Sequence, residues 1–300
     1  MIVFRAGLTG CLAGIWNKGS TIIDASSGPT FHKAVLRFRS SDISDMTGIP
    51  FKKIKVTKAV WDTFNERFVD WSPHAANCYS KKVIGGIYDR SIENLDPVIR
   101  WLAPDTFHEQ LIEMIGDRIH WNTSYVRDNG NSAIISTMPM PKLLQLLGEE
   151  DIVNLETNFN SIYVTTLDIS IPCDVHQTVY FPFGDHSIYR VTLEGRKMII
   201  ESTHELEEYD FEDIPLDVFG IGFNEFKVRE TNYKQQIGKI APVDDELRKE
   251  LIHMITMDHG IYSLGRTAIW KNILLDDVYK DIQQINTMMY KSRYERMLGK

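Results

Sequence analysis

Two groups of residues near the start of the chain have types and spacing suited to binding a nucleotide. Arg5-Ala6-Gly7-Leu8-Thr9-Gly10 carries glycines at the second and third positions of a G-x-G-x-x-G turn, and Asp24 follows at about the 20-residue spacing of a ribose-binding acid. The second glycine of such a turn lets backbone approach a pyrophosphate without a Cβ in the way. The third allows close packing of helix on strand. Unpaired N–H groups and the positive dipole end of the helix then face the phosphates. Arg5 stands where the first glycine is expected. On its residues alone, the segment reads either as a dinucleotide site or as an ordinary tight strand-to-helix turn.

The elements that must hold these residues are legible around them. Met1-Ile2-Val3-Phe4 reads as a strand, residues 5–14 as the turn and a helix, and Thr21-Ile22-Ile23 as a second strand ending in Asp24. Gly14 continues a small-residue helix face, and Gly19 suits a helix stop. A polar Gly-Pro loop then leads to residues 32–40. Residues 51–60 alternate apolar and basic, the pattern of a half-exposed strand. Its lysines Lys52 to Lys58 form a phosphate patch or, more simply, a solvated strand face.

Asp105 predicts the N-cap of a helix ending near Ile115 with Gly116 as its stop, and a strand is expected around 118–122. Ser132–Pro139 is an apolar strand ended by proline. Residues 161–171 and 175–201 read as an antiparallel sheet, and the acid-rich 205–213 as solvated surface. Asp244 predicts a helix over 245–257. The last helix, from near Trp270 or Leu274, carries Leu274, Val278, Ile282, Ile285 and Met289 at helical spacing. The order βαβ, then β-rich, then α/β fits an interrupted nucleotide-binding domain (1–50, 96–150 and 241–300) with a β-rich substrate domain inserted (51–95 and 151–240).

Composition narrows the setting. A chain of 300 residues with net charge −8 has ample core and no global field for nucleic acid or anionic membrane. Cys11, Cys78 and Cys173 form no C-x-x-C, which predicts a reducing compartment. A strand at residue 1 leaves no room for a signal peptide, and no apolar run reaches membrane-spanning length. These features predict a cytoplasmic protein. The nine histidines, His176 and His186 among them, show no ligand spacing, so no metal is expected. Asp258-His259 reads as an acid/base pair or as a loop pair.

Three further segments carry a family resemblance. Ser132-Ala133-Ile134-Ile135-Ser136-Thr137-Met138-Pro139 resembles the stretch where large flavoproteins re-enter their FAD domain. Arg37-Phe38-Arg39-Ser40 is similar to the arginine-bearing motif of the amine-oxidase and UDP-galactopyranose-mutase group. Tyr262-Ser263-Leu264-Gly265-Arg266-Thr267-Ala268-Ile269-Trp270, with Leu275-Asp276-Asp277-Val278, looks like that group's C-terminal signature. Val179–Pro182 and Tyr189–Thr192 resemble substrate-domain strands of its mutase-like members. The whole chain also resembles short FAD-dependent oxidoreductase-like proteins of bacteriophages.

The resemblance implies an α/β fold, with a discontinuous Rossmann-like FAD-binding domain and an inserted β-rich α+β substrate domain. It implies FAD as cofactor, an oxidoreductase activity, and a small-molecule or nucleotide-type substrate. The cofactor residues it implies are Arg5, Gly7, Leu8, Thr9, Gly10, Asp24, Arg37, Arg39, Thr137, Gly265, Arg266 and Asp277. Among these, Gly7 and Gly10 would approach the pyrophosphate and Asp24 the adenosine ribose. Arg39 would face the pyrophosphate or flavin side, or form a surface salt bridge. Gly265 and Arg266 would pass close to the flavin or pyrophosphate. Asp277 would lie near the ribityl chain or cap the last helix.

The candidate catalytic residues are Arg190 and Tyr180. Arg190 is positioned to bind an anionic substrate group or to form a structural ion pair, and Tyr180, Phe181 and Tyr189 to line a pocket or fill core. Two other functions stay open: a phage flavoenzyme acting on hypermodified DNA bases or their precursors, and a non-catalytic binding or structural module. DNA as partner gains no support from the net charge.

Overall fold

The computed structural model describes residues 1–31, 33–88, 94–125, 133–149 and 158–297. In chain order its strands are β1 (Ile2–Phe4), β2 (Thr21–Ile23), β3 (Arg37–Phe38), β4 (Lys52–Asp62), β5 (Arg67–Val69), β6 (Val98–Leu102), β7 (Ile119–His120), β8 (Ile134–Ser136), β9 (Phe159–Ile169), β10 (Val175–Tyr180), β11 (Ile188–Gly195), β12 (Lys197–Ser202), β13 (Phe226–Ile240) and β14 (Ile261–Ser263). Its α-helices are α1 (Leu8–Trp16), α2 (Asp42–Thr47), α3 (Pro73–Ile84), α4 (Phe107–Ile115), α5 (Met140–Leu147), α6 (Ile214–Phe219), α7 (Asp245–His259) and α8 (Leu275–Met297). No described helix is long and apolar enough to cross a membrane.

The first sheet is wholly parallel, in the order β14-β8-β1-β2-β7. Its strands are short and apolar because helices cover both faces. One face packs against α1, α4 and α8 through Leu12, Ile22, Leu111, Val278 and Ile282. The other packs against α5 and α7 through Phe4, Met140, Leu251 and Ile255. Helix α1 is buried almost all round, and its glycines let it lie close to the strands: a Cβ on Gly14 would come 2.6 Å from Ile22 Cδ1.

The second sheet runs β13-β9-β12-β11-β10-β4-β6-β3, with β5 beside β4, and β10–β4 is its one parallel pair among the described residues. It curls on itself. Arg37, on β3 at one end of the path, donates to Thr178 Oγ1 on β10 at 2.8 Å and pairs with Glu194 on β11. One face is a plain apolar core under α6 and the residues around Leu206 and Phe211. The other face lies under α3 and packs Val60, Tyr79, Val83, Tyr180 and Ile199. It also buries polar side chains.

Several expected elements shift. The α1 stop is Asn17, not Gly19. Helix α4 takes Thr106 as its N-cap residue, and Asp105 instead pairs with Lys197. The 32–40 segment yields only the two-residue β3, and His32 and Ser132 lie outside the described residues. The 118–122 strand shortens to Ile119–His120. Leu274 precedes the last helix and is exposed, whereas Val278, Ile282 and Ile285 are buried as expected. β3 and β6 both belong to the second sheet.

Lys82 of α3 secures the β10–β11 loop by donating to the carbonyls of Phe181 (2.8 Å), Phe183 (2.9 Å) and Ile188 (3.3 Å). Beside it, His186 hydrogen-bonds Thr63 Oγ1 at 2.8 Å. Burial, helped by the Lys82 charge, pushes the His186 pKa from 6.5 down to about 4. Between those values the unfolded chain binds a proton that the folded chain does not. Stability therefore falls as pH drops from 6.5 to 4. His186→Gln should flatten this part of the pH profile, as read by urea unfolding at several pH values in that window. An unchanged slope would refute the assignment.

Candidate functional site

The strand-to-helix turn after β1 sits at the carboxyl end of the parallel sheet. Arg5 adopts φ +72°, the left-handed conformation normally supplied by glycine, and its N–H donates to Ile23 O at 2.9 Å. The next residue is held at both of its backbone polar groups. Ala6 N–H donates to Asp24 Oδ2 at 2.7 Å, while Ala6 O accepts from the Cys11 thiol and from His108 Nε2, each at 3.2 Å. Burial, followed by the Asp24 charge, pushes the Cys11 thiol up to about 12, so it stays protonated and donates. Burial also lowers the His108 pKa, which leaves a neutral ring. Asp24 Oδ1 accepts from the N–H and hydroxyl of Ser26 at 2.9 and 2.8 Å.

Gly7 is the N-cap of α1, with no side-chain cap and open space where a Cβ would be. The first helical bond runs from Cys11 N–H to Gly7 O, so the N–H groups of Leu8, Thr9 and Gly10 project from the helix end. Gly10 is required by packing: its Cβ would lie 1.8 Å from Arg5 O. Thr137 Oγ1 donates to Phe4 O at 2.7 Å and lies 3.4 Å from that Cβ position. Gly265, at φ +92°, sits so close to Thr9 that a Cβ would come 2.8 Å from Thr9 Cγ2. The fold thus brings Arg5, Gly7, Leu8, Thr9, Gly10, Asp24, Thr137 and Gly265 together. Arg266 donates to Ile237 O on β13 at 3.2 Å and so ties this cluster to the second sheet.

The second sheet contributes its polar face. Register sets Tyr180 opposite Arg190, Arg190 opposite Glu201, and Thr178 opposite Thr192. Thr178, Thr192, Glu194 and Glu201 are all buried. Buried polar groups need partners, and Thr178 and the two carboxylates have them. Glu194 takes Arg37 on one oxygen and His176 Nδ1 on the other. Glu201 holds Arg190 through both carboxylate oxygens and accepts the Tyr189 hydroxyl at 3.1 Å. Burial raises the Glu201 pKa, but Arg190 and the hydrogen bonds outweigh it and hold the carboxyl below its usual range. The guanidinium forks of Arg37 and Arg190 are therefore already engaged.

Tyr180, Phe181 and Tyr189 are core residues, and the Tyr180 ring meets Trp71 and Tyr79 at 6.0 and 5.5 Å. Arg39 donates its backbone N–H to Asp276 Oδ1 at 2.8 Å and keeps its side chain exposed. Asp277 Oδ2 accepts from Leu274 N–H at 2.9 Å, the capping alternative. Lys52 pairs with Asp174 at 2.6 Å and Lys58 donates to Asn94 O at 2.8 Å, which engages two ammonium groups of the β4 patch. His259 bonds Glu149 at 3.0 Å, not Asp258. No group of His, Cys, Asp and Glu among the described residues has a metal-binding arrangement. One residue the sequence reading passed over belongs to this face: Arg100, a lone cation in the apolar stretch Val98–Leu102.

Solved structures share this architecture. Reduced UDP-galactopyranose mutase aligns at TM-score 0.63 and 12% identity over 90% of each chain. An oxidoreductase from Methanosarcina mazei aligns at TM-score 0.59 and 11% identity over 95% of this chain and 99% of that one. Putrescine oxidase bound to putrescine aligns at TM-score 0.57 and 11% identity over 97% and 98%. The chain has their fold. No protein-family model and no curated protein sequence matches it. The α/β, Rossmann-like, two-sheet architecture expected from the sequence resemblance is the one observed.

The positive φ of Arg5 makes a direct prediction. A left-handed non-glycine residue costs roughly 1–2 kcal/mol, so Arg5→Gly should raise stability by about 1 kcal/mol once the added freedom of the unfolded chain is subtracted. Urea unfolding measures this, and a loss of stability would show that the Arg5 side chain contributes more than its backbone costs.

Proposed function

We propose that this chain is a FAD-dependent oxidoreductase, holding FAD at the carboxyl end of the parallel sheet and admitting substrate over the polar face of the second sheet. One observation carries the reading: an uncapped helix N-terminus, with open space at Gly7 and a fixed carboxylate at Asp24. It lies where open α/β sheets bind their ligands. In this reading Gly7 and the N–H groups of Leu8, Thr9 and Gly10 hold the pyrophosphate, and Thr137 and Gly265 line its approach. Asp24 accepts from a ribose hydroxyl. Its oxygens already accept from Ala6 and Ser26, and a carboxylate's roughly four lone-pair sites leave room for one more donor. Arg39 and Arg266 stand toward the flavin side.

FAD supplies the capacity to accept a hydride from substrate, and the chain supplies binding, orientation and exclusion of water. The neutral Cys11 and His108 add no charge beside the phosphates. The substrate in this reading is a small or nucleotide-linked compound, and the three free thiols suit a cytoplasmic setting. A non-catalytic module is the competing reading because Arg5 breaks the glycine pattern, yet Arg5 holds the backbone conformation a glycine would.

The test is a spectrum of the purified chain, with identification of any released flavin and titration with FAD. We expect flavin uptake, and Asp24→Ala should weaken FAD binding about 10- to 100-fold, the range for losing a hydrogen bond to a charged group. A colourless protein that takes up no FAD overturns the proposal. Bound flavin that no substrate reduces would favour the non-catalytic module.

A further inference from the structure

We infer that His108 and Cys11 are positioning residues for the cofactor turn: together they hold the Ala6–Gly7 peptide in the orientation that turns the Gly7 N–H toward the pyrophosphate. The inference rests on the FAD reading of that turn and adds to it the two side chains that orient its first donor. Ala6 O accepts from the Cys11 thiol and from His108 Nε2, each at 3.2 Å, and the two donor atoms lie 4.0 Å apart. Cys11 belongs to α1. His108 belongs to α4 and is 97 residues away along the chain. Both side chains are buried behind the turn, at 0% and 5% exposure. A carbonyl oxygen has two lone pairs, so it can take both donors at once.

The consequence follows from peptide geometry. A peptide bond is planar, and no described peptide is cis, so a carbonyl and the N–H that follows it point in opposite directions. With Ala6 O drawn inward, the Gly7 N–H points outward. It has no acceptor among the described residues, and a Cβ built on Gly7 would meet nothing within 4 Å. It therefore joins the N–H groups of Leu8, Thr9 and Gly10. A peptide rotated by half a turn would aim Ala6 O at the phosphates, an acceptor facing an anion. It would also bury the Gly7 N–H against two donors. The pair of donors on Ala6 O holds the peptide out of that state.

The histidine is explained by this bond and not by packing. His108 Nδ1 is buried with no partner, and the ring meets Phe31 edge-on at 5.7 Å. An unpaired buried nitrogen is costly, and an apolar side chain would fill the same space without that cost. All the hydrogen bonding of the ring goes through Nε2, which places the ring proton there. Burial keeps both donors neutral, so they orient the peptide without adding charge under the turn.

The probes are FAD, ADP and adenosine, titrated into the full chain and three variants. ADP keeps the pyrophosphate and the ribose, and adenosine keeps only the ribose. His108→Leu should weaken FAD and ADP about 3- to 10-fold, the effect of one neutral hydrogen bond. Its urea midpoint should stay close to wild type, because the unpaired Nδ1 goes with the ring. His108→Leu with Cys11→Ala should weaken both ligands about 10- to 100-fold, as for a lost bond to a charged group. His108→Gln with Cys11→Ser keeps a donor at each place and should recover most of that loss. Adenosine affinity should stay within about twofold throughout.

Equal losses for adenosine and ADP would mean a general collapse of the turn and would overturn the inference. So would ADP affinity that ignores the loss of both donors, or that the donor-keeping pair fails to recover. A wild-type chain that binds ADP but no FAD overturns the cofactor reading, and the dependence of ADP binding on the two donors still decides this one. A chain that binds neither overturns both.

Discussion

The carbonyl oxygen of Arg5 lies where Gly10 would carry its Cβ, 1.8 Å away, and the rest of the structure depends on that approach. It lets α1 begin at the end of β1, so the helix N-terminus opens over the strand ends. The close passage of α1 over Ile22 at Gly14 fixes the helix on the sheet, and Thr9 then sets where Gly265 can pass. From Gly265 the chain continues into Arg266, whose bond to Ile237 O joins the parallel sheet to β13. That approach shapes the turn, and the Arg266 bond is one of the contacts that link the turn to the second sheet. Forcing extra atoms into so tight a site costs about 1–3 kcal/mol or more, because packed interiors do not yield smoothly.

The second sheet is held by a different constraint. Its polar face buries two carboxylates, each of which takes a guanidinium and a second donor. Removing one partner of such a pair strands a buried charge at about 3–5 kcal/mol, which makes the pairs intolerant of misregister. Arg190–Glu201 fixes β11 against β12 directly. Arg37–Glu194 closes the curl by linking the last strand of the path to β11. The pairs also decide which arginines remain available. Arg37 and Arg190, both candidate binding residues in the sequence, are bound to the protein itself.

The legible parts of the fold were the local ones. The β1–α1–β2 unit, the strand at 134–136 and the Asp244 cap, which accepts from Leu247 N–H at 2.9 Å, each rest on signals a few residues apart. The partners of Arg37 and Arg190 were hidden because Glu194 and Glu201 stand 157 and 11 residues away in strands that read as apolar. The 15-residue β13 was missed because its middle, residues 229–236, is polar apart from Tyr233, so the alternating exposure it shows in the fold has no apolar counterpart in the sequence. Asp105 looked like a cap because caps are local. Its actual partner, Lys197, comes from the other sheet.

Arg5 shows how a departure from a pattern can leave the geometry intact. A left-handed backbone persists at a non-glycine residue only where its surroundings over-determine it. Here the Ile23 carbonyl, the Asp24 carboxylate and the paired donors on Ala6 O fix the backbone on either side of Arg5. The turn therefore does not need a glycine at this position to keep its shape. The substitution changes the charge instead: it sets an exposed guanidinium at the positive end of α1, beside Gly7, where the glycine pattern offers only backbone donors. A cation there raises the local positive potential, and the Arg5 side chain is exposed. The strain at Arg5 and the openness at Gly7 are thus two parts of one arrangement, in which fixed backbone shapes the turn and an exposed side chain adds charge.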